Sequence, residues 1–471
     1  MKKSILAVGI TLALSPLWAN ASTNAEDLAA IRQQIQSLQS DYERRIQALE
    51  TRLAQAEAET QAAKQAAAVA QSAAMPSASA SASAPTAPPF RAAGNAFNPA
   101  ISLSLDGKLT SFANDPDNYA IPGFQLGGEA GPGEEGFSVQ HSELMISANV
   151  DDMFFGQLTA AIASHDNDTE IELEEAFIET AALGNGLNLR GGRFYSGIGY
   201  LNQQHTHAWD FADAPLVYRA LFGDQLNDDG VQISWLAPTD LYFKVGAEWL
   251  RGGDWPAAGD AHGGTGASTL FAKLGGDVGV SNSWQLGLSH WRADVDDRSG
   301  GGHAHELGGE AAEVSFTGDS KISALDFVWK WAPGGNATRT NFKFQAEYFL
   351  RDEDGLISIA EDPIEETRYD GDQDGWYAQA VYQFMPRWRV GLRYDRLTAD
   401  NTGSDADVLA EAGLDAAGHD PSRYALMFDY SRSEFSRIRL QYNRDKSQPD
   451  SDDQWYLQYV MSLGAHGAHQ Y

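Results

Sequence analysis

Two His-x-His pairs, His205-x-His207 and His303-x-His305, offer imidazoles of the type that bind zinc. On a strand, positions two apart share a face, so each pair could give two ligands to one ion. The sequence assigns no third ligand to either pair. His466 and His469 add two more imidazoles near the end of the chain. Asp370-Gly371-Asp372-Gln373-Asp374-Gly375 repeats the first half of a calcium loop, D-x-D-x-D-G. The residue due to close that loop with a carboxylate is Val381, which excludes an EF-hand. No resident cofactor is expected, a loosely bound calcium or zinc ion at these residues being the alternative. His305-Glu306 lacks the second histidine of a zincin helix, and there is neither a G-x-S-x-G elbow nor a phosphate loop. Ser289 and His290 are adjacent, hence on opposite faces of a strand. With no cysteine there is no thiolate site or thiol nucleophile. The expectation is a protein that is not an enzyme.

A second set of chemistry-bearing residues is charged and alternates. Glu170, Glu172 and Glu174 occupy every second position of one segment, and Arg389 with Arg393, four apart, and Arg437 with Arg439, two apart, likewise share one phase in two others. Their neighbours are apolar, so if the apolar face meets lipid, these charges line a lumen, together with Lys244, Lys330 and Lys343. Across the whole chain, 65 acidic against 33 basic side chains give a formal net charge of −32. Such a surface repels phosphate backbones and excludes nucleic acid as a partner.

The elements that must position these residues have a period of two. Runs such as Leu241-Phe243-Val245-Ala247-Trp249, Trp388-Val390-Leu392-Tyr394 and Trp455-Leu457-Tyr459-Met461-Leu463 alternate with polar residues, and many end in aromatics. Ile171-Leu173-Phe177 is assigned to the same lipid-facing set. A mean hydropathy of −0.37 excludes a bundle of membrane helices but suits strands with one apolar face. Tight turns alternate with polar connections at residues 113–136, 197–230, 252–266, 293–320, 352–373, 400–420 and 445–453. Short turns at one end and long loops at the other predict an all-β membrane protein, an antiparallel transmembrane β-barrel of about 16 strands over residues 95–471. Its expected place is the Gram-negative outer membrane, in contact with lipid and lipopolysaccharide.

Ahead of the barrel, Lys2-Lys3, an apolar stretch and Ala19-Asn20-Ala21 read as a signal peptide over 1–21. Leu28, Ile31, Ile35, Leu38 and Tyr42 keep the seam of a periplasmic coiled coil, assigned to 22–60. An Ala-, Ser- and Pro-rich linker follows over 61–94. The coiled coil is a candidate for contact with the cell wall.

Gly192-Arg193-Phe194 with Gly197 and Gly199, then His207, Trp209-Asp210-Phe211 and Tyr218-Arg219, resemble elements of the phosphate-selective porin O and P family. The resemblance implies a 16-stranded trimeric channel. The barrel departs from that family in its acidity, which puts phosphate selectivity in question.

The resulting expectation is a porin that passes small hydrophilic solutes or ions by diffusion. The 197–230 loop folds inward, its Asp210 and Asp213 facing the wall of Arg389, Arg393, Arg437 and Arg439 and setting a transverse field. Acidic loops at 352–373 and 400–420 favour cations at the mouth, giving a mild cation preference. The alternatives are an envelope tether, in which the barrel mainly anchors the coiled coil, and a metal-related uptake channel using the histidines.

Overall fold

The computed structural model describes residues 99–464, except 128–129, 140, 166–167, 258–264, 301–313 and 361–363. The signal peptide, coiled coil, linker, His303, His305, His466 and His469 lie outside the described residues. Among the described residues seventeen strands form one sheet that closes on itself when β17 (Asp452–Gly464) pairs with β1 (Ala100–Ser111). β2 (Gly136–Val139) and β3 (Ser142–Asn149) both pair with β1 and are two parts of one stave, broken near His141, whose φ is 50°. The barrel therefore has 16 staves, every neighbouring pair antiparallel, as the alternation predicts. Among the described residues no helix is long and apolar enough to cross a membrane.

The remaining strands, in chain order, are β4 (Phe154–His165), β5 (Asp168–Thr180), β6 (Leu187–Tyr195), β7 (Asn227–Leu236), β8 (Tyr242–Leu250), β9 (Ala267–Val278) and β10 (Asn282–Gly300). They continue as β11 (Val314–Trp331), β12 (Asn341–Ile359), β13 (Glu365–Met385), β14 (Trp388–Gly403), β15 (Ser422–Ser433) and β16 (Ser436–Lys446). The wall is uneven. β6 and β8 have 9 residues each, whereas β10, β12 and β13 have 19, 19 and 21. The described parts of segments 293–320 and 352–373, expected as loops, are therefore strand that rises above the rest of the barrel, apart from the residues next to 361–363. Polarity alone misplaces them, because a strand standing clear of lipid no longer needs an apolar outer face.

The outer surface carries the membrane signal. Leu288, Leu392 and Leu426 face outward, and aromatics form two belts. Trp329–Phe342 and Trp388–Tyr430 pack at the short-turn end, with ring centroids 5.6 and 4.6 Å apart. Trp376–Tyr394 and Tyr394–Tyr424 pack toward the long-loop end, at 5.3 and 4.6 Å. Tyr424 and Tyr430 share β15, and a rise of roughly 3.3 Å per residue sets the belts about 20 Å apart along the strand. That is close to the apolar band of a membrane barrel.

Inside, the barrel is not an open tube. A 16-stave barrel is wide enough for an aqueous channel. Yet inward residues on every stave are buried at mid-depth, among them Asp106, Thr159, Gln232, Thr269, Gln345, Arg423 and Gln458. The connection at 196–226 and the first long loop fill the space. Helix α1 (Leu216–Phe222) is buried at all seven positions and packs with Ile121, Phe124, Trp291 and Phe349 in the largest apolar cluster. A second short helix, α2 (Ala406–Glu411), caps the tall wall.

The phase of β14 makes a direct prediction. Leu392 is 62% exposed between the two belts. Leu392→Arg should cost about 2–4 kcal/mol in reversible unfolding from bilayers. Asp354→Asn, outward on the raised wall, should stay within about 0.5 kcal/mol. Equal costs for the two would contradict this placement of the membrane.

Candidate functional site

The inward loop reaches opposite walls in three contacts of differing polarity. Its entry limb offers backbone N–H groups, and wall carboxylates accept them. Gly197 N donates to Glu248 at 2.8 Å, and Tyr200 N and Leu201 N donate to Glu347 at 2.8 and 3.0 Å. Tyr218 Oη adds a fourth contact, 2.9 Å from Glu347. Gly199 turns here with φ +62°, and a Cβ would collide with Glu347 and Tyr218, so only glycine fits.

The second contact reverses the polarity, as loop carboxylates meet wall guanidiniums. Asp213 lies 2.8 Å from Arg393 and 2.9 Å from Arg423, and accepts from Gln441 and Asn443 at 2.6 and 2.8 Å. Asp210 bridges Arg389 at 2.8 Å and Lys343 at 3.1 Å. Arg439 and Arg437 donate to the backbone oxygens of Trp209 and His207, at 3.0 and 2.7 Å. Burial alone would raise the Asp213 pKa. The guanidiniums of Arg393, Arg423 and Arg219 outweigh it and hold the carboxyl well below the usual range. Asp210 is likewise held low, burial being outweighed by Lys343 and Arg389.

Asp210 and Asp213 thus touch Arg389 and Arg393 directly, where the expectation was of two faces with a transverse field between them. Pairs in contact largely cancel their fields at a distance, so a transverse field between these two faces is not what the geometry builds. The helix that follows is fixed at both ends. Leu216 N donates to Asp395 of β14 at 3.0 Å, and Gly223 ends the helix in the left-handed conformation, with φ 60°.

The third contact gathers the histidines. His205 precedes a short 3-10 turn (Thr206–Ala208) and His207 lies within it, so neither lies on a strand and they do not act as a strand pair toward one point. Their rings stack at 5.7 Å. His205 Nδ1 lies 3.0 Å from Glu143 and 3.4 Å from Glu174, and its Nε2 lies 3.1 Å from Glu175. His207 Nδ1 lies 3.0 Å from the other oxygen of Glu143. Two adjacent glutamates reach the lumen because β5 bulges: Thr159 pairs with Glu175 and Ala160 with Leu173, leaving Glu174 as the extra residue. The same bulge reverses the phase beyond it. Phe177 therefore points inward and is buried, contrary to its expected place on the lipid face.

Two cavities meet at this cluster. One, of about 850 Å³, opens among the short-turn residues and is lined by Glu143, Glu175, His205 and His207. The other, of about 180 Å³, lies beneath the first long loop and is lined by Glu172, Glu174, His141 and Thr206. Tyr195 lines both. Seven lysine or arginine side chains face the larger cavity against three glutamates. The side chain of Glu170 lies outside the described residues.

Other expected sites come out differently. Asp370, Asp372 and Asp374 sit on β13, at alternate outward positions about 6.6 Å apart, too far to wrap one calcium ion as a loop would. Glu353 turns inward and pairs with Arg298 at 2.7 Å, so it adds no charge to the mouth. Sequence reasoning missed Glu143, Glu175, Arg423 and Glu347. Glu143 had a usable signal: it alternates with Leu144 and Ile146 and so has lumen phase.

The fold and its filled interior define a closed, antiparallel transmembrane β-barrel with a loop folded through its lumen. No protein-family model matches the chain. An uncharacterized protein of Aquifex aeolicus (strain VF5) is 30% identical over 406 residues, covering 80% of each chain, and this chain belongs to the same family. Among solved structures it is similar to a loop L8 deletion mutant of OmpT, an outer membrane protein of Vibrio cholerae, with TM-score 0.49 and 11% identity, over 78% of this chain and 100% of that one. The outer membrane channel DcaP of Acinetobacter baumannii gives 0.46 and 12%, over 77% and 96%. An anion-selective porin from Comamonas acidovorans gives 0.45 and 11%, over 78% and 99%.

Asp213→Ala leaves Arg393 and Arg423 buried without their shared carboxylate, a loss of about 3–5 kcal/mol. Trypsin should then cut at Arg219, which the folded loop buries, while the barrel strands survive. Because the folded Asp213 pKa is depressed, its bracing is present above about pH 3.9 and is lost as pH falls through the lower folded value. Trp209 fluorescence should therefore hold steady from pH 7 to 4 and change only below that. A change between pH 7 and 5 would assign the bracing elsewhere.

Proposed function

We propose that this protein is an outer-membrane channel for small hydrophilic solutes or ions, whose passage is set by the 196–226 loop. The observation that carries the reading is the pair of cavities inside a membrane barrel, one among the short-turn residues and one beneath the first long loop, that share Tyr195 as a lining residue. The long-loop end faces outward, and the working unit is a homotrimer in contact with lipid and lipopolysaccharide. Transport is diffusive and limited at the cluster of Glu143, Glu174, Glu175 and His205. Three carboxylates at that narrowing, below an acidic outer wall, give a mild cation preference.

A second reading has its own support. The larger cavity is rich in arginine and lysine, and Arg437 Nε there has no hydrogen-bond partner. That basic vestibule would favour anions and is compatible with the phosphate-selective porin resemblance. Planar-bilayer recording across a KCl gradient separates the two. The cation reading expects small stepwise conductance with a cation-signed potential that falls in Glu174→Gln. The anion reading expects the opposite sign, weakened in Arg437→Gln. Asp213→Ala, which frees the loop, should raise the conductance of either channel. Silence from both the natural chain and Asp213→Ala would overturn the channel reading and favour an envelope tether.

A further inference from the structure

The wall between the two cavities has the makings of a metal centre. Nδ1 of His205, one carboxylate oxygen of Glu143 and one of Glu174 all lie within 4.8 Å of one another. Glu143 and Glu174 come from β3 and β5, and His205 comes from the inward loop, so the site exists only once the loop has docked. The Glu143 side chain is 2% exposed, that of Glu174 7% and that of His205 14%.

These three atoms converge without bonding one another well. His205 Nδ1 lies 3.0 and 3.4 Å from the Oε2 atoms of Glu143 and Glu174, yet off the line of a hydrogen bond to either. Both Oε2 atoms are buried and accept no hydrogen bond. Buried carboxylate oxygens normally have donors, so two of them aimed at one point need an explanation. A tetrahedral zinc ion with bonds of about 2.0–2.1 Å sets neighbouring ligands about 3.3–3.4 Å apart, close to the 3.0 and 3.4 Å from His205 Nδ1 to the two carboxylates.

The surrounding contacts are those a metal centre uses to orient its ligands. Glu175 accepts at the far nitrogen of His205, 3.1 Å away, and is held in turn by Gln157 at 2.8 Å. His207 and Thr206 hold the other oxygen of Glu143, at 3.0 and 3.4 Å. One neutral imidazole and two carboxylates carry two negative charges, equal and opposite to a divalent ion. Three protein ligands leave a fourth position for water, where a bound ion can exchange with either cavity.

We infer that His205, Glu143 and Glu174 form a binding site for a first-row divalent transition metal ion, with Glu175 and His207 positioning its ligands. This inference stands apart from conduction, since a sealed barrel could hold the same ion. The test is equilibrium Zn2+ binding to the purified full chain in detergent, by competition with a chromophoric chelator. The natural chain is expected to bind one equivalent at this site. Glu174→Gln, nearly isosteric, and His205→Ala should each weaken binding at least ~10-fold, and Glu175→Gln by about 10–100-fold. Circular dichroism of each variant confirms that the barrel is intact, and Glu174→Gln keeps the test decisive if His205→Ala misfolds. Co2+ bound to the natural chain should give visible absorption bands that Glu174→Gln abolishes. Failure of the natural chain to bind Zn2+ would overturn the inference. So would binding that survives Glu174→Gln and disappears only when His303, His305, His466 and His469 are replaced. The bilayer recordings are independent, so either result can fail without the other.

Discussion

The interior of this barrel depends on one buried carboxylate. Asp213 sits on a loop, yet its partners Arg393, Arg423, Gln441 and Asn443 come from three strands of the wall. Taking two guanidiniums out of water is costly, and the opposing charge repays that only if the geometry is good and the remaining donors find acceptors. Here they do. Arg393 also reaches Asp395 at 3.0 Å and the backbone oxygen of Asp213 at 2.9 Å. The network therefore specifies a loop position as much as it stabilises one, because any other path through the lumen would strand the arginines.

That constraint explains how a wide barrel can be filled by its own chain. A closed sheet of 16 staves leaves space that water or protein must occupy. The loop docks by complementary chemistry, wall acids taking its N–H groups at Glu248 and Glu347 and wall arginines taking its carboxylates at Asp210 and Asp213. Helix α1 then buries its apolar residues against Phe349, Tyr377 and Trp291 in the same cluster. The polar contacts fix the register of the loop and the apolar ones pack helix α1 against the wall. Neither set alone would do both.

Much of the architecture was legible from periodicity. Apolar alternation located the staves, the turn and loop lengths located the two ends, and lumen phase placed Arg389, Arg393, Arg437 and Arg439 on the inner wall. What could not be read depends on one residue more or less. The extra residue in β5 brings Glu175 inward beside Glu174 and turns Phe177 with it, and no local signal in Ile171–Ile178 announces a bulge. The partners of the loop were hidden for a different reason. Asp213 and Arg423 are 210 positions apart, and the pairing follows only once the barrel closes. Polarity misled where strands left the membrane, since the raised parts of β12 and β13 look like loops when judged by charge alone.

The same separation of scales bears on how the lumen works. Ion pairs at Asp210 and Asp213 neutralise one another locally, so they shape the interior without projecting charge through it. Charge that remains to act on a solute lies where pairing is incomplete, at the glutamates around His205 and on the basic wall of the larger cavity. These two regions share a boundary and have opposite sign. A solute crossing between them would meet its least favourable field on one side or the other whatever its charge, unless the boundary itself is altered. Because His205 belongs to the loop and Glu143 and Glu174 to the wall, docking of the loop creates that boundary. Loop position and lumen charge are therefore one variable, and the Asp213 network is what sets it.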